Sequence, residues 1–517
     1  MRIQSLKIAL LLFCSYCSSG LWAQSTVAFT ELLKTAKTVT DLRVTGADAQ
    51  NFYVTEYDQD KVPSVNLVCY GRADMKERWR QRISLVTEGN ENPRFEKMIY
   101  MKSGFLLFST AFSKSNGQIQ AFATMLNIKG EILSKPVLVH YMTADDRAGK
   151  PSFDIRLSPD SSRFLLFFDP PYERKASENV SFKLYSPDLE LMWEKDLVLP
   201  YSQDVVQIHN YIIDDEGNLF MMSGRAPEKK TLAGGPPLAQ GARYVLFHYN
   251  NVDNKVKEYD VSLKDKQVVA ANFALREDGS LVIAGYYGNN YEFSAAGTFQ
   301  FELNAGGKGI KTASFMPFPA DFVARFAGAI DGGKSPSLKD FYLDYIFPRP
   351  DGSTLVVGEQ YFLEENSRFD PTTGRQIVEY IHHYDDIIVS MLEGSGRIKW
   401  CSKVPKQQYT SSDGGNCSYN CYYDHTTLHL IFNDEESNID RLKSIPQGEA
   451  MGWNQSKNSI TAVVSVSSDG QLTRKALVAN KEVATLLAPG LSSQNPFGAA
   501  VLGYDAGKSY KFCLLKS

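Results

Sequence analysis

The sequence predicts an all-β chain built from four-stranded antiparallel sheets in series, on three observations. Short apolar runs flank turns rich in Asp and Gly. Those hairpins recur along the chain. A second kind of hairpin follows each of them. The first hairpin is seen in Met98–Phe108, Phe153–Phe168, Tyr211–Gly224, Asn272–Gly285 and Tyr345–Gly358, with Asp278-Gly279 and Asp351-Gly352 as its clearest turns. Gly and Asp tolerate the positive φ of tight hairpin turns, and the flanking runs have the length and β-formers of strands.

The second hairpin is seen in Phe122–Leu133, Phe182–Trp193, Ile388–Trp400 and Val463–Leu472, and its closing strand often carries Trp or a basic residue. Units begin near Val39, Phe95, Ser152, Val206, Val269, Phe341, Cys417 and Val483, at a spacing of about 50–75 residues, at or above the usual blade period. Two hairpins make a four-stranded sheet, and such sheets in series are the blades of a β-propeller of the WD40-like kind. Eight blades are counted, with seven as the alternative. The last unit supplies only three strands, Val483–Leu487, Ala499–Gly503 and Tyr510–Leu515, so Thr26–Leu33 is expected to complete it from the other terminus. Two stacked β-sandwiches are the competing fold, but no Pro/Gly/Ser linker divides the chain.

The N-terminus has the order of a signal peptide: basic Arg2 and Lys7, an apolar stretch opening at Ile8–Phe13, then Leu21-Trp22-Ala23. That stretch is too short to span a membrane, and no later one reaches 18 apolar residues. Residues 1–23 are expected to be removed, leaving 24–517 as a single propeller domain in the periplasm or outside the cell. A signal ending in Ala23-Gln24 ahead of a large β-rich body resembles exported proteins of Bacteroidetes-type bacteria. The full chain carries −4; without Arg2 and Lys7 it carries −6. That mild charge, with no dense basic run, disfavours nucleic acid as a partner.

Cys69, Cys401, Cys417, Cys421 and Cys513 remain after removal of the signal, too few for a disulfide scaffold. An extended strand would hold Cys417 and Cys421 about 13 Å apart, so a bridge between them requires a turn.

In a propeller the turns within the two hairpins share one face, and the remaining connections share the other. The long connections, Arg225–Gly241, Asp321–Ser337, Glu364–Gln376 and Asp434–Ser456, nearly all fall on that second face, where a ligand or partner is expected. Candidate contacts are Arg225, Phe322 and Phe326 on one or two helical turns, and Trp453, which can stack on a sugar or partner or plug the hub. His382, His383, Asp385 and Asp386 are the densest metal-capable group and could take a divalent cation, although their spacing is not that of a specific metal motif. No cofactor is predicted. His425-Thr-Thr-Leu-His429 lacks the Glu of the helical zinc signature and straddles an expected turn. No nucleophile elbow, phosphate loop or dinucleotide fingerprint is present. The sequence thus reads as a non-enzymatic binding or scaffold propeller for a protein or glycan partner. The alternative is a glycan-active hydrolase or lyase with its catalytic residues at the hub.

Overall fold

The computed structural model describes residues 27–85, 91–143, 152–169, 177–202, 206–225, 243–261, 266–289, 294–326, 338–495, 499–507 and 509–516. Strands dominate, in four-stranded antiparallel sheets that follow one another along the chain. In the first sheet Val39–Ala47, Asn51–Asp58, Ser64–Gly71 and Glu77–Ser84 pair in sequence order, and the sheets that begin at Glu91, Ser152, Val206, Lys266, Phe341 and Asn420 repeat this pattern. The last sheet starts at Leu486 and takes its outermost strand from the N-terminal side. Leu33 pairs with Tyr510, Lys34 with Ser509, and Phe29 bridges to Cys513.

The turn chemistry read from the sequence recurs in the structure. Asp278 Oδ1 accepts the Ser280 N–H at 2.9 Å, and Asp351 Oδ1 accepts the Ser353 N–H at 2.9 Å, closing the first hairpins of the fifth and sixth sheets. Burial then grades across each sheet. In the first, the strand Asn51–Asp58 is almost wholly buried, whereas Glu77–Ser84 alternates exposed and half-buried positions like a rim strand. A lone four-stranded sheet cannot cover both faces of such inner strands, so each packs on two neighbours. One core joins the first and second sheets through Tyr53, Leu67, Phe105 and Leu107; another joins the sixth and seventh through Val357, Val389, Leu430 and Val464. A further core joins the last sheet to the first through Phe52, Val54, Val501 and Phe512. Strands in this order, packed in this way, make a β-propeller.

Two smaller devices fix neighbouring sheets. Tryptophans on the outermost strands, Trp400 from the second hairpin of the sixth sheet and Trp79 in the first sheet, lie under a turn of the following sheet. A Cβ on Gly470 would stand 2.8 Å from the Trp400 ring, and Trp400 Nε1 donates to Ser468 O at 3.0 Å; a Cβ on Gly130 would stand 3.1 Å from Trp79. Both glycines have positive φ, so the bare backbone there is required twice over. The first strands of adjoining sheets are also bolted by polar pairs: Lys97 Nζ to Asp154 Oδ1 at 2.9 Å, Asn210 Nδ2 to Asn272 Oδ1 at 3.0 Å, and Tyr419 OH to Asp344 Oδ2 at 2.7 Å.

Of the expected long connections, Glu364–Gln376 is not a loop. The strands Thr354–Asp370 and Arg375–Leu392 carry their ladder through it, with only residues 371–374 in the turn. Alternating β-branched and aromatic residues sustain strand pairing well past the body of the sheet. Asp434–Ser456 contains the helix Ser437–Ser444. Asp321–Ser337 opens in the short helix Ala320–Val323, and its later part, like most of Arg225–Gly241, lies outside the described residues. Cys69, Cys401, Cys417, Cys421 and Cys513 form no disulfide among the described residues, so Cys417 and Cys421 do not bridge.

Phe512 is fully buried between the last and first sheets, edge-on to Phe52 at 5.9 Å. Phe512→Ala is expected to cost about 3–5 kcal/mol in urea denaturation, while Val198→Thr on an exposed outer strand should stay within about 0.5 kcal/mol of the parent.

Candidate functional site

Three features stand out around the sixth, seventh and last sheets: a projecting arm, a buried charged network at its root, and an acid in the innermost strand of the sixth sheet.

The arm is the hairpin Tyr361–Tyr384, whose ten strand pairs from Tyr361 to Asp370 run for roughly 33 Å. In an antiparallel ladder opposite residues share a face. Leu363/His382, Glu365/Tyr380, Ser367/Val378 and Phe369/Gln376 lie on one side. There Leu363, Phe369, Val378 and Tyr380 are 50, 68, 41 and 48% exposed. The other side holds Glu364, Asn366, Arg368, Arg375 and Glu379 together with Ile377 and Ile381, and carries more charge. The arm is therefore a ribbon with four large apolar side chains uncovered on one side, among Glu365, Ser367, Gln376 and His382.

At its root the ribbon gains a third strand, Gln408–Thr410, paired with His382–Tyr384. The chain there is pinned by buried charge. Lys406 is 1% exposed; its Nζ meets Glu359 Oε1 at 2.8 Å and Gln408 Oε1 at 3.1 Å, and also donates to the Tyr384 carbonyl. Ser418 Oγ donates to the second oxygen of Glu359 at 2.7 Å. Lys403 pairs with Asp386 at 2.9 Å, and Arg474 pairs with Asp434. Gln408 Nε2 donates to Asn433 O at 2.8 Å, and the Asn433 side chain donates to Asn416 O and Leu487 O and accepts from Asn480. This chain of contacts ties the sixth, seventh and last sheets together. With every cation matched to a carboxylate, it holds positions rather than offering a free reactive group.

Asp344 differs from that network. It occupies a bulge in the innermost strand of the sixth sheet, between the pairs Leu343/Gly358 and Tyr345/Val357, and its residue surface still reaches solvent. Burial among neighbouring protein atoms pushes its carboxyl up to about 7, against the hydrogen bond from Tyr419 that lowers it.

The residues singled out in the sequence disperse. Trp453 is fully buried, with its Nε1 donating to Ser459 Oγ at 2.7 Å, while its backbone laces the loop to Gln407 and Tyr409. Its ring offers no face to a ligand. Phe322 and Phe326 are buried with Phe318 and Phe341, and Lys403 Nζ sits 4.9 Å above the Phe326 ring, so they seal the junction of the fifth and sixth sheets. Arg225 ends the strand Leu219–Arg225; its side chain lies outside the described residues. His382 accepts or donates at Nδ1 with Tyr361 OH at 2.8 Å, and His383 Nε2 lies 2.9 Å from Glu364 while stacking on Phe362. Asp386 belongs to Lys403, and burial raises Asp385 to about 6. The four do not converge, and among the described residues no group of three or more His, Cys, Asp or Glu could hold a metal ion. His429 bonds Ser465 and Asp424, and His425 sits in the turn before it.

Sequence reasoning missed Asp344, Glu359, Lys403, Lys406, Asn433 and Arg474. The available signal was polar residues inside strand runs, as in Leu343-Asp344-Tyr345 and Ile431-Phe432-Asn433-Asp434.

No protein-family model matches the chain, and no curated protein does. Among solved structures it is similar to a quinohemoprotein alcohol dehydrogenase from Pseudomonas putida HK5, at 8% identity over 94% of this chain and 76% of that one, with a TM-score of 0.44. It is also similar to the WD40 domain of SCAP from fission yeast, at 9% identity over 94% and 92%, TM-score 0.38. A third is polysaccharide lyase Uly1, at 10% identity over 84% and 91%, TM-score 0.38. Likenesses this distant carry no chemistry across, and the site is read from this chain's own residues.

Lys406→Met is expected to cost about 3–5 kcal/mol by leaving Glu359 buried and unpaired; adding Glu359→Gln should recover part of it in the same denaturation assay. Asp344 gives a pH signature. Between its ordinary value of 3.8 and about 7, the folded chain keeps a proton that the unfolded chain has released. Its stabilising contribution is therefore full below 3.8 and lost as pH rises to about 7. Thermal melts from pH 4 to 8 should show Asp344→Asn gaining on the parent across that window; parallel curves would refute the assignment.

Proposed function

We propose that the chain is an exported, eight-bladed binding propeller that holds a protein partner on its long-loop face through the Tyr361–Tyr384 arm. The observation that carries this is the four uncovered apolar side chains Leu363, Phe369, Val378 and Tyr380 on a ribbon standing clear of its sheet. A two-stranded hairpin is marginally stable alone in water. Its unpaired edges and exposed apolar side chains are the features that a partner with a matching surface or strand covers. The root supports the same reading, because the buried ion pairs of Lys403, Lys406 and Arg474 fix the arm's base at internal cost.

The eight-bladed ring is supported by the run of cores that pairs each sheet with the next, by the core linking last to first, and by the pairing of Leu33 with Tyr510. Export is supported by the basic-then-apolar order of residues 2–13 and by Ala23; the native protein is expected to begin at Gln24, and a native chain beginning at Met1 refutes it.

The docking reading is tested with Phe369→Asp/Val378→Asp. Wild type and variant should melt together, because both side chains face solvent. A protein cross-linked to residues 363–380 of the wild type in its source cells should not be captured by the variant. Equal capture by both chains would overturn the reading.

A further inference from the structure

The arm has a free edge as well as two sides. In the body of the sixth sheet the strand Thr354–Asp370 lies between Phe341–Pro348 and Arg375–Leu392. Phe341 pairs with Gln360, and Asp340 O accepts the Tyr361 N–H at 2.9 Å. Past that point, among the described residues, only Arg375–Leu392 pairs with the strand. One edge of residues 362–370 is therefore unpaired, and every residue from 363 to 369 is exposed. A backbone edge of this length is a template for another strand. The opposite edge of the arm is shorter, because Gln408–Thr410 covers it at residues 382–384.

The residues along that edge specify which strand fits it. Successive residues of an antiparallel strand turn their backbone groups to alternate edges. A two-fold pairing of the edge with its own copy must then centre on a residue. Midway along 362–370 lies Asn366. Centred there, Leu363 stands opposite Phe369, Glu364 opposite Arg368 and Glu365 opposite Ser367, each pair occurring twice. Like charges meet only on the diagonal, Glu365 with its copy. Glu364 Oε2 holds His383 at 2.9 Å, which leaves Oε1 to accept from an arginine. The neighbouring registers fail, because like charges directly opposite are destabilising. A centre at Glu365 or at Arg368 sets that residue against itself, and a centre at Ser367 sets Glu364 against Asp370. The centre that uses the whole edge is thus the one that matches apolar to apolar and acid to base. On the shorter edge a centre at Ile377 pairs Arg375 with Glu379 and extends no further.

We propose, on the reading of the arm as a docking element, that its partner is a second copy of this chain, joined along residues 362–370 in an antiparallel two-fold pair centred on Asn366. The same surface serves both copies, as a closed two-fold dimer requires. The two ribbons become one four-stranded sheet between two propellers. Leu363, Phe369, Val378 and Tyr380 of each copy lie on one side of it, and Glu364 and Arg368 of each copy lie on the other. Asn366 stands roughly 17 Å along the strand from Tyr361, which holds the two bodies apart. Charges on a free edge ordinarily deter strand addition. Here they deter a strand without the matching pattern and admit a copy of the same one.

The test is sedimentation velocity of the full chain over a dilution series. The parent is expected to show a monomer–dimer equilibrium. Arg368→Glu and Glu364→Arg should each weaken the dimer at least tenfold. An equal mixture of these two variants should dimerise at least as well as the parent, because in the mixed pair every Glu faces an Arg. Asn366→Cys should give a disulfide-linked dimer on mild oxidation, since opposite Cα atoms stand about 4.5–5.5 Å apart; Ser367→Cys should not. All four side chains are exposed, so the variants should keep the fold and melt like the monomeric parent. A parent that stays monomeric at every concentration, a dimer indifferent to Arg368→Glu, or a mixture that does not recover would each overturn the proposal. If the parent is monomeric, a different protein cross-linked to residues 363–380 in the source cells would leave the arm's docking role standing, and no cross-linked protein would overturn both.

Discussion

The structure depends on one constraint: a four-stranded antiparallel sheet whose middle strands are apolar on both faces must be covered on both sides. Phe52, Val54, Leu67 and Val68 in the first sheet point alternately to two different cores, one shared with the second sheet and one with the last. A stack of such sheets would leave two faces bare at its ends. Here the terminal sheets meet each other, and the chain's own N-terminal segment completes the outer edge of the last one. Burial of each large side chain contributes about 1.5–3 kcal/mol, so the inter-sheet cores dominate every polar bolt between sheets. The bolts and the Gly–Trp contacts set register and angle; the cores set whether the molecule folds.

The proposed function draws on what that constraint leaves free. Within most sheets the turns of the two hairpins are short, as at 102–103, 276–280 and 349–353, because antiparallel neighbours need few residues to reverse. Connections after the second and fourth strands are not so limited, and the chain spends length there on the arm, on the helix Ser437–Ser444 and on the loop closed by Trp453. The charged network under these features has the logic of a foundation. Lys403, Lys406 and Arg474 would be costly inside an apolar core, and each is offset by a carboxylate and by backbone carbonyls of the loops it anchors. An apolar core could supply equal stability, but it would not dictate where irregular backbone must lie.

Much of the fold was legible because its signals are local. Asp-Gly turns between β-forming runs, repeated about every 50–75 residues, mark the hairpins and unit starts, and the three-stranded last unit points to an N-terminal strand. The errors share a physical origin. Glu364–Gln376 was read as a loop because Pro371-Thr-Thr-Gly374 and the charges of Glu364, Glu365, Arg368 and Asp370 resemble loop composition, yet alternation along Leu363, Phe369, Val378 and Tyr380 was there to be read as a strand pair. Phe322 and Phe326 are buried rather than exposed contacts, and of the two roles open to Trp453 the buried one holds, because burial of an aromatic in a connection depends on which distant strands it meets. Asp344 and Lys406 were invisible for the same reason: their partners, Tyr419 and Glu359, lie 75 and 47 positions away.

Native-state hydrogen exchange on the full chain tests the closed arrangement of sheets most directly. If the last sheet is sealed by the N-terminal strand, amides of residues 29–34 and of 509–516 should exchange only through the same global opening as the middle strands Asn51–Asp58 and Ala499–Asp505. Rapid exchange of 29–34 and 509–516 while those middle strands remain protected would contradict it, and would leave a series of sheets with an open end.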